Sequence, residues 1–260
     1  MSCENKDLLE RLLACQDELA YCKNDVETWT DSLEELSEIE DAFTAKGKKL
    51  HGKTILDVGT DCVKPLYIAL KYEPTKIVGI NEEFPMSFVS DVERNSKLFT
   101  QTKIRFYSCS LFDQGTIDRI LEEEGMKRFD YVLVSKTLHH LRSGDCIAKK
   151  RDPKHRHRED EKCCIYKFEE KKVFDLLFQL GDRVIIYEAF CPQEEDNDKV
   201  RGRGGQFTAK EWKDLFKYLL SEKYTVKFTR PQPLSLDKEN LSRVDQLLRE
   251  NDLLCFYVEK

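Results

Sequence analysis

The residues with the clearest chemical potential lie at 53–61, KTILDVGTD. Asp57 sits inside the apolar run Thr54, Ile55, Leu56 and Val58, where an unpaired charge is costly to bury. Gly59 follows at once, then Thr60 and Asp61, and a helical pattern starts near Pro65. Strand, acid, glycine turn and helix is an arrangement that grips a mononucleotide at the carboxyl edge of a parallel sheet. The glycine lets backbone approach a ligand, and the helix start supplies free N–H donors. One helix later a second apolar run, residues 76–82 (KIVGINE), ends in Asn81 and Glu82, as a βαβ unit requires.

A polar insertion at 142–165 holds a second set of reactive types. Cys146, His155, His157, Cys163 and Cys164 are soft ligands suited to zinc. Their spacing, C-x8-H-x-H-x5-CC, matches no zinc arrangement, so no metal is expected. Lys149, Lys150, Arg151, Lys154, Arg156 and Arg158 are a basic run that suits phosphate or RNA. The acidic residues 159–161 follow directly, which makes a self-neutralising solvated loop the simpler reading. Arg201, Gly202, Arg203, Gly204 and Gly205 resemble a scrap of RGG repeat too short to carry RNA binding.

DVGTD, then VGINEE, then RFYSCSLFD, then FDYVLVSKTLHHL, in that order, resembles the class I S-adenosylmethionine-dependent methyltransferases. The similarity covers residues 50–260. The chain departs from the family pattern at three points: Asp61 and Val63 stand where the second and third motif glycines are expected, and Asn81 takes the place of the acid closing the second strand. The resemblance implies S-adenosylmethionine as cofactor, gripped at the carboxyl ends of the first four strands. Asp57 and Gly59 would face its methionine end, with Thr60 and Asp61 in the turn. Asn81 or Glu82 would bond the ribose hydroxyls; an Asn lacks the second acceptor of a carboxylate. Ser110, Leu111 and Phe112 would border the adenine, and Ser135 and Lys136 the methionine side. His139 and His140 in TLHHL would approach the acceptor, and Glu188, closing the fifth strand, would reach the same cleft. The plainer alternatives are that Asp57 caps the turn, Glu82 and Glu188 are solvated, and the histidines pack a helix.

These residues need a scaffold, and the pattern supplies one. Strands are expected at 54–58, 76–82, 103–109, 129–135, 182–190, 224–229 and 253–258. Helices are expected at 65–72, 85–98, 114–124, 166–180, 208–220 and 238–249, the fifth opened by the capping-box pair Thr208 and Glu211. The expectation is an α/β, Rossmann-like, seven-stranded, mostly parallel sheet with helices on both faces. In the resembled family the last strand is antiparallel. An N-terminal helical extension, residues 1–49, precedes the domain at 50–260. Leu8, Leu12, Cys15, Leu19, Cys22, Val26, Trp29, Leu33 and Leu36 form its heptad-like stripe. That stripe reads as a helix pair packed on the domain, compatible with the lid over the cofactor that the resemblance implies, with a homodimer through these helices as the alternative.

The 260 residues carry a net charge of -6, of which residues 1–50 hold -7 and the remainder +1. A broadly basic nucleic-acid surface is therefore not indicated. No apolar run approaches membrane-spanning length. The acidic start lacks a signal-peptide pattern, and the ten cysteines read as small buried residues of a reduced, cytoplasmic protein. Methyl transfer from S-adenosylmethionine to a small molecule is the expected function. RNA methylation through the basic insertion and a non-catalytic scaffold of the same fold are the alternatives. A nicotinamide-binding fold fits less well, because the glycine fingerprint is poor.

Overall fold

The computed structural model describes residues 39–43, 50–60, 63–82, 92–93, 100–138, 170–191, 207–230, 232–250 and 253–260. Asp61, His139, His140, the insertion at 142–165, residues 201–205, the whole N-terminal stripe and most of the expected helix at 85–98 lie outside the described residues. The chain divides into two compact units, Met1–Val134 with Leu180–Ile185, and Ser135–Gln179 with Ile186–Lys260.

In the first unit, β1 (Thr54–Val58) leads into helix α1 (Val63–Tyr72) and then β2 (Lys76–Asn81). β3 (Lys103–Ser108), helix α2 (Gln114–Glu123) and β4 (Phe129–Ser135) follow. The strand order is β3-β2-β1-β4, and β5 (Gly181–Cys191) comes next. β1 runs parallel to both β2 and β4, and β2 runs parallel to β3. The central strand β1 is buried from Ile55 to Val58, whereas β3 alternates, with Lys103 exposed, Ile104 buried, Arg105 half-buried and Phe106 buried. That contrast fits a strand covered on both faces and a strand at the sheet edge. Glu93 guards the edge: its carboxylate pairs with Arg105 Nη1 at 2.8 Å and accepts the Phe106 N–H at 3.3 Å. Residues 39–43 are helical and bury Ile39, Ala42 and Phe43, an i, i+3, i+4 stripe. The Phe43 ring meets Tyr131 edge-on at 6.0 Å, and Glu40 takes the Lys71 ammonium at 2.8 Å.

Charge pairs tie the amino ends of these strands. Asp130, near the start of β4, accepts the Thr54 N–H at 2.8 Å and the Lys53 ammonium at 2.7 Å. Glu124, just past α2, pairs with Lys76 at 2.8 Å and Lys103 at 2.6 Å, the first residues of β2 and β3.

The second unit holds helix α3 (Glu170–Leu180, to Gln179), the far half of β5, and the two-residue strand β6 (Phe207–Thr208) paired with it. Helix α4 (Ala209–Ser221), β7 (Thr225–Arg230), β8 (Leu234–Leu236), helix α5 (Arg243–Glu250) and β9 (Leu253–Glu259) complete it. The order here is β5-β9-β7-β8, and β7 is antiparallel to both β8 and β9. Trp212, Phe216, Phe228 and Phe256 form its aromatic core, with Phe216 edge-on to Phe228 and Phe256 at 5.2 Å each.

Among the described residues the sheet is mixed and mostly parallel and has nine strands, not the expected seven; β6 and β8 are the short additions. β8 was not expected, because it is a run of only three residues directly after Pro231 and Pro233. The last helix starts at Arg243 rather than 238. Asp237 Oδ1 accepts the N–H groups of Glu239 and Asn240, and Asn240 Oδ1 accepts that of Asp237. That reciprocal turn competes with a helix start.

Candidate functional site

Among the parallel strands of the first unit the chain winds outward from β1 to β2 and β3, then returns to place β4 on the other side of β1. The crevice outside the carboxyl ends at such a reversal is where open α/β sheets bind ligands. Asp57 lies there, fully buried, in register with Gly79 on β2 and Leu133 on β4.

Gly59 makes the turn with φ +69°, a conformation that costs a side-chain-bearing residue strain. Its N–H and the Thr60 N–H both donate to the Ile80 carbonyl, at 2.8 and 3.2 Å. These two donors are therefore directed into the sheet and not toward a ligand. Thr60 itself is only 2% exposed. Its methyl lies over Gly79, where an added Cβ would come within 2.6 Å of Thr60 Cγ2 and 2.8 Å of the Phe106 ring. An isolated glycine inside a strand run, such as Gly79, is the sequence sign of such a close approach.

At the end of β2, Asn81 is half-buried and Glu82 exposed. Asn81 Nδ2 donates to the Thr60 carbonyl at 3.2 Å, and the Asn81 carbonyl accepts the Cys109 N–H at 2.9 Å. The Ser108 hydroxyl donates to the Glu82 carbonyl at 2.8 Å. Beyond β3, Leu111 is buried and Phe112 half-buried, and the Phe112 N–H reaches Ser110 Oγ at 3.4 Å. Asp113 caps α2 through Thr116; the Thr116 hydroxyl and N–H hold its carboxyl below the usual range. Burial, with the Asp113 charge, pushes the Cys109 thiol up to about 11, so this cysteine is protonated and a poor nucleophile at neutral pH.

The structure thus brings Asp57, Gly59, Thr60, Asn81, Glu82, Ser110, Leu111 and Phe112 to the ends of β1, β2 and β3. In the second unit, Ser135 is buried and its carbonyl accepts the Thr137 hydroxyl at 2.8 Å. Lys136 follows with φ +46°; its N–H donates to the Tyr187 carbonyl at 2.7 Å, and its ammonium lies 5.7 Å from the Tyr187 ring centroid. Glu188 is fully buried, not a solvated terminus, and does not end its strand, since β5 continues to Cys191. Among the described residues, no three His, Cys, Asp or Glu side chains gather as a metal site, and no helix is long and apolar enough to cross a membrane.

No family model and no curated protein matches the chain. Solved structures do. The chain is similar to the methyltransferase domain of bacterial CtHen1-C, at 13% identity and TM-score 0.47, over 87% of this chain and 98% of that one. It is similar to an S-adenosylmethionine-dependent methyltransferase from Mesorhizobium loti, at 11% identity and TM-score 0.48, over 86% and 98%. A third is the 1,6-didemethyltoxoflavin-N1-methyltransferase of Burkholderia thailandensis, at 14% identity and TM-score 0.45, over 99% and 89%. The chain's own topology is a β3-β2-β1-β4-β5 order with a last strand antiparallel to its neighbour, as expected above for that strand.

Proposed function

We propose that the chain binds S-adenosylmethionine at the carboxyl ends of β1, β2 and β3 and transfers its methyl group to a small-molecule acceptor. The observation that supports this reading is the donor balance of the β1 turn. Gly59 and Thr60 have already committed their N–H groups to Ile80, so the turn offers them to no pyrophosphate, the group a dinucleotide would place there. The same strand ends carry a buried carboxylate, Asp57, an amide oxygen on Asn81, and the apolar Leu111 and Phe112. That set fits a ligand carrying an amino-acid ammonium, a ribose diol and an adenine.

In this reading Asp57 holds the amino-acid end through charge and hydrogen bonds, and Asn81 Oδ1 accepts from one ribose hydroxyl. Leu111 and Phe112 shield the base from water. The sulfonium supplies an electrophilic methyl whose positive charge disappears on transfer, so positioning and exclusion of water do much of the work. His139, His140 and Glu188 are the proposed acceptor-side groups, alongside Ser135 and Lys136 on the methionine side. A base among them matters only where the acceptor carries a proton at working pH. The small-molecule assignment draws on the near-neutral charge, +1, of the chain beyond residue 50.

Calorimetric titration with S-adenosylhomocysteine tests the proposal, with NAD as comparator. Saturable one-site binding of the first and none of the second is expected. Absence of heat with S-adenosylhomocysteine would remove the enzyme reading and leave a scaffold of this fold.

A further inference from the structure

Thr60 is held from nearly every side. Its N–H is bonded to Ile80, its methyl is seated over Gly79, and its carbonyl receives the Asn81 amide at 3.2 Å. The last of these is the only one supplied by a side chain. A carbonyl can be met at that distance only by a donor, and an Asn presents one where an isosteric Asp presents a second acceptor. The residue at 81 therefore does more than face outward from the end of β2. It clamps the main chain that turns away from β1.

We propose that Asn81 is a positioning residue acting through Thr60: its amide fixes the carbonyl of the β1 turn, and with it the backbone beside the amino-acid end of the cofactor. The inference rests on the S-adenosylmethionine reading above and deepens it. It separates two tasks for one side chain. The Oδ1 atom serves the ribose, while Nδ2 sets the turn that serves the other end of the ligand. It also gives the neutral residue a reason of its own, since a carboxylate here would face the Thr60 carbonyl oxygen with no proton between them.

The two tasks separate with two ligands, S-adenosylhomocysteine and 5′-methylthioadenosine. Both carry adenosine, and only the first carries the amino-acid portion. Dissociation constants are measured for the parent, Asn81→Ala and Asn81→Asp, with circular dichroism on each. Asn81→Asp is expected to lose about tenfold for S-adenosylhomocysteine while methylthioadenosine stays within roughly twofold of the parent or tightens. Asn81→Ala is expected to lose more for S-adenosylhomocysteine than for methylthioadenosine. Equal losses for both ligands would assign Asn81 to the ribose alone and overturn the proposal. So would tighter S-adenosylhomocysteine binding by Asn81→Asp, or unchanged binding by both variants. A variant that fails to fold also counts against it, because a clamp acting only on a turn leaves the sheet intact. A parent that binds neither ligand removes the cofactor reading itself, and the proposal with it, before any variant is compared.

Discussion

Gly59 and Asp57 are the residues on which the proposed site most depends. Gly59 holds φ +69°, where a β-branched side chain is strained by about 1–3 kcal/mol. Gly59→Val is expected to abolish S-adenosylhomocysteine binding with the circular dichroism of the sheet retained; titration of the folded variant at parental affinity would show that the turn is not at the ligand. Asp57→Asn keeps the shape and removes the charge, so a loss of about tenfold is expected, on the order of the 1.5–3 kcal/mol of a charge-assisted bond. The acid, the glycine and the strand that carries them were legible because local patterns encode them. The destination of the Gly59 and Thr60 N–H groups was not, since it depends on the Ile80 carbonyl of a neighbouring strand. In the sequence Asn81 signals only the loss of an acceptor, whereas the structure shows the use of a donor. Glu188 was legible as a strand residue, but its full burial follows from packing that its own run does not reveal.

The elements are held in two different ways at their two ends. At the carboxyl ends, close backbone approach dominates. Gly79→Ala would drive a Cβ to 2.6 Å from Thr60 and 2.8 Å from Phe106, and overpacking of this kind costs about 1–3 kcal/mol. Urea unfolding is expected to show that loss, with ligand binding weakened as well because Thr60 must move. At the amino ends, charges dominate. Burial pushes the Glu124 carboxyl up, but bonds from Lys103, Lys76 and Tyr107 outweigh it and hold the group down to about 2 from an ordinary 4.5. A carboxyl depressed in the folded state contributes stability that is complete above its unfolded value and is lost as pH falls through the folded one. Stability measured by urea is therefore expected to fall between about pH 4.5 and about pH 2, the interval between those two values, and Glu124→Gln is expected to flatten that fall. An unchanged slope in the variant would mean that other carboxylates carry it. Strand positions were legible from β-branched runs, while the late start of α5 was not. Asp237 and Asn240 form a side-chain turn whose residues, read alone, fit a helix N-terminus equally well.

At the scale of the whole chain, hydrogen exchange can locate the ligand proposed at the ends of β1, β2 and β3. A ligand at a hundred times its dissociation constant stabilises the bound state by about 2.7 kcal/mol. Amides that exchange by local opening of the site should then slow by about two orders of magnitude, while those opening elsewhere should not. The expected set includes Gly59 and Thr60, bonded to Ile80, and Cys109, bonded to Asn81. Phe112, bonded to Ser110, belongs with them. β7 and β9 pair through Val226 and Val258 in the other unit, and the aromatic core of Trp212, Phe216, Phe228 and Phe256 packs there. Their amides should be unaffected by S-adenosylhomocysteine at labelling times short enough for local openings alone. Protection centred on β7 and β9 would move the site out of the first unit. Protection at Gly59, Thr60 and Cys109 without any at Phe112 would instead keep the ligand on the β1 and β2 ends and detach the adenine from Leu111 and Phe112.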